Sequence, residues 1–94
     1  MDALHSPATD RLFEAILRLT TLEECYDLFE DLCTIREVHD LTQRFEVAAM
    51  LGEGKSYQEI AGKTGASTAT ICRVNKCLVY GTGGYRAALA EEKK

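Results

Sequence analysis

The sequence predicts an all-α protein of six helices, and three observations carry that reading. Helix-start signals recur along the chain: Ser6 before Pro7, then Thr21 with Glu24, Thr34 with Glu37, and Ser56 with Glu59. Apolar residues follow each start at spacings of three and four, the period of a helix face. No segment alternates apolar and polar residues with the β-branched richness of a strand.

Each helix has its own justification. Ser6 caps the first and Pro7 takes its first position, where the missing N–H costs nothing; Leu12, Phe13, Ile16 and Leu17 form its apolar face. Thr21 and Glu24 form a capping box for the second, each side chain satisfying the other's free backbone N–H. Its stripe is Leu22, Cys25, Tyr26, Phe29, Leu32 and Cys33. Thr34 and Glu37 open a longer third helix through Ile35, Val38, Leu41, Phe45, Ala48 and Ala49 to about Leu51, where "GEGK" ends it. Ser56 and Glu59 open a short fourth helix that stops near Gly65. Ser67 caps a fifth that runs to about Val79. "YGTGGY" breaks the chain, and "YRAALAEE" has the composition of a final short helix.

A length of 94 residues gives one domain, residues 1–94, with a core small enough that oligomerisation often supplies missing burial. At 46% hydrophobic and 28% charged residues the chain reads as an ordinary globular protein. Apolar runs never reach the roughly 18 residues of a membrane span. The start, "MDALHSPATDRLFEAI", lacks the basic-then-apolar order of a secretory signal, so a cytoplasmic protein with no membrane partner is expected. Cys25, Cys33, Cys72 and Cys77 include no CxxC pair, and His5 and His39 are not at ligand spacing. A zinc site needs about four convergent ligands. Reduced thiols, no metal and no cofactor are therefore expected. An enzyme is not expected either, because no Ser/His/Asp or Cys/His arrangement presents itself.

The net charge of -4 conceals an asymmetry. Residues 1–54 carry four bases against twelve acids, whereas residues 55–90 carry five bases against Glu59 alone. A local excess of base in an acidic chain points to an anionic partner or to a solvated basic face.

The basic segment also meets the demands of a helix-turn-helix, placed at about residues 56–79. Ala61 is the small residue where two short helices cross, and Gly65 supplies the turn's tolerance of positive φ. Ile60, Ala66, Ile71 and Val74 take the inward places, with Thr64 a weaker fit. The outward face of the second helix is then Ser67, Thr68, Thr70, Arg73 and Lys76. Hydroxyls near a helix N-terminus suit phosphate oxygens, and bases suit phosphate or guanine. Double-stranded DNA is the partner this constellation implies.

Residues from about Leu41 to Leu78, notably "GASTATICRVNKCL", resemble the DNA-reading half of the Trp repressor. The run "ASTATICRVNKCLVYGTGGY" resembles the YerC/YecD group of small Trp repressor-like proteins. The resemblance implies a six-helix Trp repressor-like fold, an intertwined homodimer and one helix-turn-helix per subunit. It further implies a dimeric, sequence-specific transcriptional regulator, most simply a repressor, reading a near-palindromic site through the major groove.

In the Trp repressor the effector amino acid lies between two arginines, one on the third helix and one on the recognition helix. The second matches Arg73; the first falls at Gln43, with Arg44 adjacent. A glycine that leaves room beside the ring is Val74 here. An added isopropyl group crowds the ring, and overpacking typically costs about 1–3 kcal/mol. Tryptophan is therefore not expected to be the effector, and no other small molecule is indicated.

Single residues have plainer readings beside the functional ones. Arg73 contacts DNA or bridges to an acid on the third helix. Lys63 and Lys76 are nonspecific phosphate partners. Gln58 reaches DNA from the first helix of the motif or is solvated. Tyr80 and Tyr85 pack the last helix, and His39 is a surface or interface residue. The competing reading of the whole is a helical protein-interaction module with only nonspecific DNA affinity. A further one is a helix-turn-helix that works inside a larger complex.

Overall fold

The computed structural model describes residues 3–92. It holds six helices and, among the described residues, no strand: α1 (Pro7–Leu17), α2 (Leu22–Leu32), α3 (Ile35–Gly52), α4 (Tyr57–Thr64), α5 (Thr68–Tyr80) and α6 (Gly84–Glu92). None of these helices is long and apolar enough to cross a membrane. The chain divides into two compact units, residues 1–38 and residues 39–94.

In the first unit the caps form as their sequences require. Ser6 Oγ accepts from Thr9 N at 3.0 Å and Pro7 opens α1. Thr21 Oγ1 accepts from Glu24 N at 3.1 Å, and Glu24 Oε1 accepts from Thr21 N at 3.2 Å and from Thr20 N at 2.8 Å. Those donors hold the Glu24 carboxyl below its ordinary pKa, the Thr20 N–H first among them. Thr34 and Glu37 close the same reciprocal pair at the start of α3, at 2.8 and 3.1 Å. Neither α1 nor α2 contains a buried residue. Leu28 and Phe29 are half-buried, while Tyr26, Leu17 and Leu22 are exposed.

The second unit has the core. Val47 and Ala48 of α3, Ile60 of α4, Ala66 of the turn, and Ile71 and Val74 of α5 are buried together. Met50, Leu51, Ala61, Tyr85 and Leu89 pack against them half-buried. Tyr85 tilts against Phe45 of α3, ring centroids 6.3 Å apart, and this with Leu89 holds α6 to the unit. Tyr80 differs from the expectation that it packs the last helix: it is 83% exposed.

Chain reversal after α3 uses Gly54 at φ 81°, with Lys55 N donating to Met50 O at 3.1 Å and Gly54 N to Leu51 O at 3.0 Å. That pair of bonds is a Schellman closure, satisfying carbonyls that the helix end would leave free.

Candidate nucleic-acid interface

The helix-turn-helix is built by α4, α5 and the three residues between them. Ser56 Oγ accepts from Glu59 N at 3.1 Å and Glu59 Oε1 accepts from Ser56 N at 3.1 Å, fixing the start of α4. The Ser56 N–H, aided by the nearby Lys55 charge, keeps the Glu59 carboxyl below its ordinary pKa. At the other end Gly65 takes φ 74°, and its N–H donates to Ala61 O at 2.9 Å. A side chain at that position would strain the backbone by about 1–2 kcal/mol.

Thr64, the weak inward fit, is accommodated by local bonding. Its hydroxyl donates to Ile60 O at 2.7 Å and accepts from Ala66 N at 3.1 Å, so no polar atom is stranded beside the core. Gln43 of α3 adds a long-range tie, its Nε2 donating to Thr64 O at 3.0 Å. The last turn of α4 is thereby fastened to α3 within the second unit.

Ile71, Val74, Asn75 and Leu78 of α5 lie at spacings of three, four and seven and are buried or half-buried. Ala69, Cys72, Arg73 and Lys76 repeat those spacings on the opposite side, and all four are exposed. Arg73 makes no ion pair or side-chain hydrogen bond among the described residues, so the alternative of a bridge to the third helix is not realised. Lys63, Lys76 and Gln58 are likewise exposed and unengaged among the described residues.

The hydroxyls fare differently. Ser67 Oγ accepts from Thr70 N at 3.1 Å, capping α5, and also meets Thr70 Oγ1 at 3.1 Å. Thr70 is half-buried, whereas Thr68 is exposed with its hydroxyl free among the described residues. Of the seven residues expected at DNA, the structure therefore leaves Gln58, Lys63, Thr68, Arg73 and Lys76 fully presented. Ser67 and Thr70 are engaged in the cap. The outward stripe also contains Ala69 and Cys72, which a search for hydrogen-bonding residues passes over. Their signal was the spacing itself: Ala69 lies four residues before Arg73, and Cys72 four before Lys76.

The residues matched to an effector clamp do not converge on a free donor set. Gln43 has its amide engaged with Thr64, Arg44 is half-buried, and Arg73 is exposed. Val74 is 1% exposed and belongs to the core. Among the described residues no group of three or more His, Cys, Asp or Glu is placed to hold a metal ion. The four cysteines are free thiols, half-buried at Cys25 and Cys33 and exposed at Cys72 and Cys77.

Known proteins resemble the chain over nearly its whole length. The uncharacterized protein YerC of Bacillus subtilis (strain 168) is 53% identical over 94 residues, spanning 100% of this chain and 90% of that protein. A crystal structure of a TrpR-like protein from Eubacterium eligens superposes with a TM-score of 0.96 at 53% identity, covering 99% of this chain and 96% of that one. A candidate Trp repressor from Staphylococcus aureus superposes at 0.95 with 44% identity, covering 98% and 92%. The pattern of the Trp repressor protein family matches residues 8–93. With its six helices and its α4–α5 helix-turn-helix, the chain belongs to the Trp repressor protein family.

Proposed function

We propose that the protein is a sequence-specific DNA-binding transcriptional regulator, acting as a repressor by occupying a near-palindromic site as a homodimer. The observation that carries this reading is the outward side of α4–α5. Arg73 and Lys76 stand exposed on the outer stripe of α5 and Lys63 is exposed on α4, all without ion-pair partners among the described residues, on a core-anchored helix-turn-helix. Arg73 suits guanine or phosphate, and the two lysines suit phosphate. Residues 1–94 act as one functional domain in this reading. Two copies related by a two-fold axis set their recognition helices about 34–36 Å apart, one turn of DNA. The acid-rich residues 1–54 repel the duplex and orient its approach.

A homodimer is supported by the apolar side chains that the first unit leaves in solvent, Leu17, Leu22 and Ile35 among them. Tryptophan is not the effector in this reading. Val74 fills the core with its own side chain, and the Gln43 amide is committed to Thr64.

The test is selection of bound duplexes from a random pool at near-physiological salt, with no ligand added. Enrichment of a two-fold-symmetric site is expected. Affinity for that site should fall with salt, and Lys63→Ala should flatten the slope by about one unit of log K per log salt. No enriched sequence, with DNA binding erased by salt, would instead favour a protein-interaction module.

A further inference from the structure

Cap chemistry makes the composition of the outward stripe informative. The hydroxyls of Ser67 and Thr70 are bonded to each other, and Ser67 Oγ also holds the Thr70 N–H. In the first two turns of α5, beside the free Thr68 hydroxyl, the stripe presents a methyl group from Ala69 and a thiol from Cys72, with Arg73 beside them and Lys76 one turn on. Both faces of the helix agree on this orientation, since Ile71 and Val74 are buried on the opposite side.

Neither a methyl nor a thiol distinguishes bases by strong hydrogen bonds. A free thiol behaves as a small hydrophobe with a weak donor. Among the base edges of the major groove the one apolar group is the C5-methyl of thymine, and small apolar side chains are its usual partners. Both residues are also short, so they let the helix backbone approach the base edges closely.

We infer that Ala69 and Cys72 read thymine through its C5-methyl, beside a guanine contacted by Arg73. The inference rests on the DNA-binding reading above and deepens it, because it specifies part of each half-site by apolar contact. Burying one methyl against these side chains is worth about a fourfold change in affinity per thymine.

Deoxyuridine supplies the test, since it keeps thymine's pairing and removes only the methyl. The selected duplex is resynthesised with deoxyuridine at one thymine position of the half-site at a time, and binding is measured under reducing conditions. At one position or more the wild-type protein should bind about fourfold more weakly. In the double variant Cys72→Ser, Ala69→Ser, whose sites are exposed, the thymine-to-deoxyuridine ratio should fall towards one. Lys76→Ala should weaken both duplexes alike and leave the ratio intact. Indifference of the wild-type protein to every methyl overturns the inference without any variant, and so does an unchanged ratio in a folded double variant. Failure to select any site overturns the functional reading and this inference with it. A selected site that ignores the methyl overturns this inference alone.

Discussion

The two units of the chain are equally well specified as helices and unequally as tertiary structure. α1 and α2 have complete caps at their starts, yet neither contains a buried side chain. Leu17, Leu22 and Ile35 are 82%, 75% and 89% exposed. In the second unit, α3, α4, α5 and the turn between α4 and α5 bury six apolar residues together. Caps fix where a helix starts, but helices of 11 residues are marginal in water without packing. The contrast therefore separates a unit whose stability is internal from one whose apolar faces need cover, and a second copy of the chain is the cover proposed.

The largest effect should come from inside the second unit. Ile71→Ala removes a fully buried side chain at the centre of the α3–α4–α5 core and should cost about 2–5 kcal/mol of unfolding free energy. Urea unfolding measures it, and a loss below about 1 kcal/mol would contradict the core assignment. Ile35→Ser tests the other unit. On a surface that stays in water such a change moves stability within about 0.5 kcal/mol. On a covered face it should weaken self-association by about tenfold, or 1.4 kcal/mol. Sedimentation and melting across a range of protein concentration distinguish the two. If the wild-type chain stays monomeric throughout, the proposed cover is wrong.

Much of this was legible from residues because the signals are local. The pairs Thr21–Glu24, Thr34–Glu37 and Ser56–Glu59 each lie within one turn, and all three form as reciprocal bonds. Ile60, Ala66, Ile71 and Val74 were legible because a helix-turn-helix imposes their spacing, and all four are buried. What escaped was the consequence of one bond for another. By sequence Ser67 suits both a cap and a phosphate contact, but its oxygen accepts from Thr70 N and meets the Thr70 hydroxyl. Ala69 and Cys72 carry no strong hydrogen-bonding signal of their own, so only their spacing marks them. Tyr80 escaped although its position is seven residues after Arg73 and four after Lys76, which places it on the exposed stripe. The first unit was the least legible as a fold, since local spacing shows which residues are apolar and not what covers them.

The smallest effect concerns the caps themselves and compares the units on equal chemistry. Glu24 and Glu59 both have carboxyls held below their ordinary pKa, through N–H donors from Thr20 and Thr21 in one case and from Ser56 in the other. A carboxyl whose folded pKa is depressed contributes stability that is present above its unfolded value of about 4.3 and is lost as pH falls through the lower folded value. Glu59→Gln keeps an acceptor oxygen but removes the charge that favours a helix N-terminus. The variant should therefore be less stable than wild type at pH 7, and the gap should close on acidification below about pH 4. Glu24→Gln should behave in the same direction. Urea midpoints at pH 7 and pH 3.5 read both. If α1 and α2 gain their stability from a dimer formed by the whole chain, the two variants shift one common transition. If Glu24→Gln instead moves a separate early transition that Glu59→Gln leaves alone, the first unit melts independently and the one-domain reading fails.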